Sequence, residues 1–332
     1  MADSNSIWTL IPSGQRRSGE FVDDTLRLRA EEQGLLDRLD LAGDFPRQRV
    51  EVIRDADGWA RVNDLFYRRG WTDGLPVVPP TLDRVAAMVT AFGKGRDYVL
   101  AEVEPLGGLA TVEKVAANAV MAGCRTEDFP VVAAAVMAVV EPDFYLNGIQ
   151  TTDENVTPLM IVSGPIAGSL DLNGGFGALG PGWQANATIG RALRLVMHNI
   201  GGGWPAAVSF AGLAQPAKYS LCVTENTVDS PWEPLHVEHG YDASQSVVTL
   251  LRAEGVINVT GGLEELASVM GSSASAFSVM YGGKVGVVVA PFTAQQCAKA
   301  GMTKHDAKVY LHTHGRMPVE VWDRSWSYSV KS

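Results

Sequence analysis

The chain has 332 residues, of which 46% are hydrophobic and 19% are charged, and its formal net charge is -10. A chain of this length can bury a sizeable core, in one large domain or in two packed domains. The acidic balance argues against nucleic acids and anionic membrane surfaces as partners, because both favour clustered Lys and Arg. We therefore expect a small-molecule substrate, no nucleic acid and no membrane.

No segment of the sequence has the length of a membrane helix. The longest apolar run, residues 131–140, is about half of the ~18–20 residues that a bilayer requires. The first residues lack the basic start and apolar stretch of a secretory signal, which favours a cytoplasmic location. Cys124, Cys222 and Cys297 are isolated, so they indicate neither a disulfide framework nor a zinc ribbon.

Residues 1–50 differ in character from the rest of the chain. Trp8, Leu10 and Ile11 lie in a polar arm, and a charged segment with an interrupted amphipathic pattern follows at 23–40. A polar arm with isolated aromatic residues usually packs against a neighbour. We interpret 1–50 as an arm and helix that contact another subunit of a homo-oligomer, with a frayed terminus as the alternative.

From residue 59 onward, the patterns of helices and strands alternate. Apolar periodicity and capping residues predict helices over 60–69, 82–92, 111–122, 129–140, 186–197, 263–270, 294–300 and 304–312. Short apolar runs predict strands over 159–162, 219–223, 246–251, 256–259 and 285–290. The alternation predicts an α/β fold with a mixed or mostly parallel sheet and flanking helices.

The catalytic region, 51–332, is expected to form one body or two packed subdomains, about 51–215 and 216–332. A strand, a Gly-rich turn and a helix at 159–197 are echoed at 285–300, which suggests two related halves. In this interpretation 285–290 is a strand buried on both faces.

A glycine-dense loop is the most informative part of the sequence. Eleven of the 35 glycines lie in 164–203, between a predicted strand and a predicted helix. Such a cluster indicates close approach of a ligand or of a second chain, and the following helix would direct free N–H groups into the loop. Tight packing of strand on helix is the alternative. The candidate substrate-binding residues here are Gly182, Trp183, Asn186 and Thr188.

Two further segments carry reactive side chains. Trp71 and Asp73 lie in a Gly-Trp-Thr-Asp-Gly-Leu-Pro turn, where Asp73 is a candidate base or substrate clamp, or the former of an ordinary Asp-Gly turn. Lys114 and Asn118 share one face of the helix predicted over 111–122, which is otherwise apolar. Burial there would lower the pKa of the lysine; an ordinary salt bridge is the alternative. Cys124, beside a cationic neighbour, is a secondary candidate.

The densest constellation follows the strand predicted over 219–223. Glu225 and Asn226 end that strand at a sheet edge, where α/β proteins place ligands, and Trp232 and His236 follow. We expect Glu225 with His236 to transfer protons. A divalent metal held by His236 and His239 is the alternative, although this spacing needs a turn. His198, at the end of the helix over 186–197, is interpreted as a partner of the helix dipole.

Several of these phrases together resemble one bacterial family. They are Gly-Trp-Thr-Asp-Gly-Leu-Pro-Val-Val-Pro-Pro-Thr at 70–81, residues 114–124, Gly-Pro-Gly-Trp-Gln-Ala-Asn-Ala-Thr-Ile-Gly-Arg at 180–191 and Ser-Pro-Trp-Glu-Pro at 230–234. Over about 59–318 the chain is similar to the family labelled "UGSC-motif (seleno)protein". The label implies thiol or selenol chemistry, but this chain lacks a Cys-Gly-Ser-Cys motif.

The residues favour an enzyme of small-molecule catabolism, a lyase, hydratase or hydrolase that acts on a carboxylate- or carbonyl-bearing substrate. Lys114 and Asn186 would polarise an oxygen of the substrate, and Glu225, helped by His236 or Asp73, would move the proton. Two alternatives remain open. One is a thiol-dependent redox component of a heteromeric complex, with Cys124 or Cys222 as the working sulfur, and the other is a non-catalytic assembly subunit.

Overall fold

The computed structural model describes residues 6–8, 50–52, 58–272 and 285–320. The arm predicted over 1–50 therefore lies outside the described residues, except for short pieces at its two ends. These pieces are strands β1 (Ser6–Trp8) and β2 (Val50–Val52), which pair antiparallel.

The chain forms two compact units. Unit 1 contains the described residues up to Thr224 together with Ser244–Ala253, and unit 2 contains Glu225–Ala243 and the described residues from Glu254 onward. The chain thus leaves unit 1 after Thr224 and returns once, for a single strand.

Unit 1 contains the long helices predicted from apolar periodicity. Thr111 caps the helix that begins at Val112, and Gly123 ends it in the left-handed conformation with φ 92°. Pro130 lies in the first turn of the most apolar helix, where its missing N–H costs nothing. The helices of unit 1 are α1 (Gly58–Arg68), α2 (Leu82–Phe92), α3 (Val112–Ala122), α4 (Phe129–Val139), α5 (Leu146–Thr151), α6 (Pro165–Ser169) and α7 (Gln184–Asn199).

The sheets confirm the predicted α/β class. Strand β5 (Thr157–Ser163) is the centre of a three-stranded mixed sheet, with β6 (Cys222–Thr224) parallel on one side and β7 (Val247–Ala253) antiparallel on the other. Helix α7 lies in the connection between the parallel strands β5 and β6. A separate antiparallel pair joins β3 (Val99–Val103) to β4 (Gly108–Thr111).

The core of unit 1 lies where α3, α4 and α7 pack together. Helix α3 is buried from Val115 to Ala122, and its alanines allow a close approach of α7. Helix α4 is buried through most of its length, as its apolar sequence predicted. Gly190 gives α7 its close contact with β6, because a Cβ at this position would overlap the side chain of Ser220.

Unit 2 is built mainly from short helices. They are α8 (Leu235–Glu238), α9 (Leu263–Met270), α10 (Pro291–Lys299) and α11 (Lys304–His314). Thr303 caps α11 by accepting a hydrogen bond from the amide of Asp306, whose carboxylate in turn accepts from the amide of Thr303.

Two of the predicted strands are wrong. Residues 256–259 and 285–290 lie in neither a helix nor a strand, and Val285 and Val288 are exposed rather than buried on both faces. A run of Val and Ala is compatible with a strand, but a strand exists only where a neighbour completes its hydrogen bonds. Because 285–290 is not a strand, residues 285–300 do not repeat the order of strand, Gly-rich turn and helix found at 159–197.

No single helix in the described ranges is both long enough and apolar enough to cross a bilayer. The segments Thr126–Val139 and Pro142–Thr151 meet those criteria only when taken together, across a bend of 75°.

A glycine in β4 provides a test of this packing. Gly108→Ala will lower the free energy of unfolding by about 2 kcal/mol, because the added Cβ would overlap the main-chain carbonyl of Ile200 and main chain cannot rotate away. Gly168→Ala in α6 is the matched control, since a Cβ there meets no atom within 4 Å. Urea unfolding followed by circular dichroism gives both values. Equal stabilities of the two variants would contradict the packing described for β4.

Candidate functional site

The glycines of the Gly-rich segment fall into two groups. In the loop before α7, Gly177 and Gly182 have positive φ, and a Cβ at Gly182 would meet nothing within 4 Å. Phe176 in the same loop is fully exposed. At the other end of α7, Gly203 lies so close to Gln150 that a Cβ would overlap its side chain. Gly182 in the loop therefore borders open space, whereas the glycines after α7 serve close packing.

Asn186 fastens the Gly-rich loop to the core. Its side-chain amide donates to the main-chain oxygens of Asn173 and Cys222, both at 3.0 Å, and its side-chain oxygen accepts from the amide of Asn173 at 2.8 Å. Both ends of this side chain are thus engaged with main chain. Trp183 is partly exposed at the start of α7, and the hydroxyl of Thr188 donates to the oxygen of Gln184.

Asp73 forms a bidentate ion pair with Arg191 of α7. Arg191 Nε lies 2.7 Å from Asp73 Oδ2, and Arg191 Nη2 lies 2.8 Å from Asp73 Oδ1. Arg191 also donates to the main-chain oxygen of Pro76, and Asp73 accepts from the amide of Leu75. Both carboxylate oxygens hold the 71–76 turn against α7, which supports the turn-forming alternative for Asp73.

A buried polar network lies at the carboxyl end of α7. Asn199 Nδ2 donates to Asn118 Oδ1 at 2.7 Å and to the main-chain oxygen of Trp71 at 2.9 Å. His198 Nε2 lies 3.2 Å from the oxygen of Gly70, and its ring centroid is 4.1 Å from that of Trp204 in an edge-on contact. We call these residues the Trp71 cluster: Trp71, Asn118, His198, Asn199 and Trp204.

Three polar atoms of the Trp71 cluster are buried without a hydrogen-bond partner among the described residues. They are the indole nitrogens of Trp71 and Trp204 and the side-chain oxygen of Asn199. A buried polar group left unpaired costs about 1–3 kcal/mol, and most buried polar groups in proteins are paired. The cluster therefore contains two N–H donors and one acceptor that no described residue pairs.

Lys114 lies one helical turn before Asn118 on the same face of α3. Its Nζ donates to the main-chain oxygen of Leu109 at 3.0 Å, and its own carbonyl accepts from the side chain of Asn118 at 2.9 Å. Burial lowers the pKa of Lys114 to about 8, as the apolar helix face predicted. A lysine with this pKa is able to exchange its proton close to neutral pH.

Burial keeps two of the cysteines, Cys124 and Cys222, in the thiol form. Burial raises the pKa of Cys124 far above its ordinary value, and its Sγ donates to the main-chain oxygen of Thr188 at 3.3 Å. Burial also raises the pKa of Cys222 to about 12. Since the thiolate is the reactive form, neither sulfur has the environment of a redox-active cysteine.

The candidates of unit 2 form a local hydrogen-bonded loop. Both oxygens of Glu225 accept from the amide of Leu235, at 3.1 and 2.9 Å. Asn226 donates to Asp229 at 2.8 Å, and the indole nitrogen of Trp232 donates to the oxygen of Met302 at 3.4 Å. These contacts order the segment between β6 and α8.

His236 and His239 differ in environment. His236 is 3% exposed, and neither of its ring nitrogens has a hydrogen-bond partner among the described residues, whereas His239 is exposed at the end of α8. Within the described ranges, no group of three or more His, Cys, Asp or Glu side chains is placed to hold a metal ion. The metal site at these two histidines stays a prediction.

Three members of the Trp71 cluster were not among the sequence candidates. The sequence predicts only that His198 interacts with the helix dipole, and it does not identify Asn199 or Trp204 as candidate site residues. Arg191 and His198 are seven residues apart, hence on one face of α7, and both contact the 70–76 segment. This spacing could have predicted that both side chains lie on one face of α7. It could not have predicted that they contact the 70–76 segment, which is more than 100 residues away in sequence.

Comparison of the chain with protein-family models, with curated proteins and with solved structures finds no match.

Proposed function

We propose that this chain is an acid-base enzyme of small-molecule catabolism, a lyase, hydratase or hydrolase acting on a carboxylate- or carbonyl-bearing substrate. The substrate oxygen would be polarised by the indole N–H of Trp71 and by the ammonium of Lys114. His198 would be the proton-transferring group in the same unit. We assign no specific bond to the reaction.

The observation that carries this proposal is the set of unpaired buried atoms in the Trp71 cluster. Two unpaired N–H donors suit an oxygen that gains negative charge, which is the task of donors in acyl-transfer, hydration and elimination reactions. An acceptor beside them, Asn199 Oδ1, suits a hydroxyl or amide of the same molecule.

The tautomer of His198 supports a proton-transferring role. Its Nε2 faces a carbonyl oxygen, that of Gly70, so Nε2 carries a proton in this arrangement. The tautomer follows from this hydrogen bond, and His198 is the residue that we propose to move the proton of the substrate.

The thiol-dependent alternative has less support. The raised pKa values of Cys124 and Cys222 leave these sulfurs protonated at neutral pH. The predicted resemblance to the "UGSC-motif (seleno)protein" family therefore contributes no residue role to this proposal. A cytoplasmic location and a homo-oligomer, with a heteromeric complex as the alternative, remain part of it.

Turnover of a defined panel tests the proposal. Short oxo-, hydroxy- and unsaturated carboxylates, with simple amides and esters, are incubated with the full chain, and products are detected by NMR. We expect turnover of at least one member. Trp71→Phe will lower kcat/KM for that member about tenfold or more, because the ring remains while its N–H is lost.

The matched control is Trp59→Phe, since Trp59 is 55% exposed and lies outside the Trp71 cluster. The free energy of unfolding of Trp71→Phe should fall by no more than about 1 kcal/mol, because the variant also removes an unpaired donor. Equal activity of the two variants, or no turnover anywhere in the panel, would contradict the proposal. Glu225→Gln in the same assay tests the proton transfer predicted for Glu225 and His236.

A further inference from the structure

A second polar site lies in unit 1, around Arg194 of α7. It is a small cleft, partly open to solvent, whose enclosed volume is about 10 Å³, the space of about one water molecule. We call it the Arg194 cleft. Its lining includes the polar residues Thr157, Arg194 and Lys218.

Two cations line this cleft, and neither forms an ion pair with any residue that the structure describes. Arg194 Nε donates to the main-chain oxygen of Lys218 at 2.8 Å, and Arg194 Nη2 donates to Thr157 Oγ1 at 3.0 Å. A guanidinium has five N–H donors. Three of the five in Arg194 therefore have no partner among the described residues, and the ammonium of Lys218 has none there either.

The carboxylate whose charge acts on Arg194 is that of Asp73. Both oxygens of Asp73 already accept hydrogen bonds from Arg191, so Asp73 does not form an ion pair with Arg194. Burial lowers the pKa of Arg194 to about 10, and burial together with the charge of Arg194 lowers the pKa of Lys218 to about 8. Two neighbouring cations that repel each other in a partly buried cleft are stabilised by an added anion.

From this arrangement we propose that the Arg194 cleft binds a small oxyanion, a carboxylate or a phosphate, between Arg194 and Lys218. The planar fork of a guanidinium matches two oxygens of either group. The side chains beneath the cleft, such as Met160, Leu193 and Met197, are almost fully buried and leave no room for a longer chain. The site therefore suits the oxyanion group itself rather than an attached alkyl chain. The inference does not rest on the proposed function, because it concerns binding alone.

Titration calorimetry on the full chain at low ionic strength tests the inference. The probes are acetate, butyrate, hexanoate and inorganic phosphate. We expect saturable binding of acetate and of phosphate, with no increase in affinity from acetate to hexanoate, because the cleft has no room for an alkyl chain. An affinity that rises steeply with chain length would overturn the placement of the anion in this small cleft. Absence of saturable binding of all four probes would overturn the inference.

Variants locate the site. Lys218→Met and Arg194→Met will each weaken binding about tenfold or more, and Lys299→Met, which removes an exposed lysine, will not. If Arg194→Met does not fold, Arg194→Lys and Lys218→Met carry the test. Unchanged affinity in Lys218→Met would show that the anion binds elsewhere and would overturn the inference.

The pH dependence gives a further readout that a structural role would not produce. Wild-type affinity will fall as the pH is raised from about 7 to about 9.5, because Lys218 loses its charge over this range. Lys218→Arg keeps its charge and will retain its affinity at the upper pH. A fall of the same size in Lys218→Arg would contradict the assignment of Lys218.

Discussion

Replacement of Lys114 by Met is expected to lower kcat/KM for the substrate found in the panel by about 10²–10³-fold, with little change in stability. Lys114 is proposed to polarise the substrate oxygen, and loss of one such donor typically has an effect of this size. The side chain of Met retains the apolar length of the lysine side chain. Activity and unfolding are measured on the same preparation, so that a folding defect is separated from a catalytic one.

The pH dependence of kcat/KM tests whether Lys114 acts in its charged form. The pKa of Lys114 is about 8, so the ammonium is present below that pH and is lost above it. Wild-type kcat/KM will therefore fall as the pH rises through about 8. Lys114→Arg will retain part of the activity without this alkaline fall, because the guanidinium stays charged.

Lys299→Met is the control for charge removal, since Lys299 is exposed at the end of α10. Two outcomes count against Lys114. One is near-wild-type activity of Lys114→Met, and the other is an alkaline fall that persists in Lys114→Arg. Neither outcome bears on anion binding in the Arg194 cleft, so the two proposals fail separately.

Asp73→Asn is expected to lower the free energy of unfolding by about 3–5 kcal/mol. The side chains of Asp73 and Arg191 are 5% and 14% exposed, and removal of one charge leaves the other buried and uncompensated. The loss should appear as a shift of the urea midpoint without a change in its slope. If Asp73 instead acts as a base, activity will fall while stability is preserved.

The control for Asp73 is the exposed pair of Asp64 and Arg68 on α1, whose side chains are 51% and 45% exposed. Asp64→Asn should cost less than about 1 kcal/mol, because water and salt screen an exposed pair. The double variant Asp73→Asn with Arg191→Gln will recover part of the loss, which completes a thermodynamic cycle. Equal losses for Asp73→Asn and Asp64→Asn would refute the structural role.

The helices were the part of the fold that local sequence predicted well. The predicted bounds 82–92 and 263–270 coincide with α2 and α9, and Thr303 caps α11 as expected. Helical hydrogen bonds and caps involve residues within four positions of each other, so a short window contains the necessary information. Strand pairing is not local, which is why 256–259 and 285–290 were misassigned.

The candidate site shows the same division. Lys114 and Asn118 were predicted to share a face, because helix geometry alone places residues four apart together. The pairing of Asp73 with Arg191 and that of Asn118 with Asn199 join segments 118 and 81 residues apart. No periodicity in the sequence reports contacts over such separations.

The sequence by itself determined the α/β class, most helix limits, the apolar burial of α4 and the buried face that carries Lys114. Only the tertiary structure decided that Asp73 pairs with Arg191 and that the side chain of Asn186 binds main-chain atoms. It also revealed unpaired donors in the Trp71 cluster and two cations in the Arg194 cleft. The reason is physical: burial and pairing depend on which distant segments the core brings into contact, and local sequence does not encode that choice.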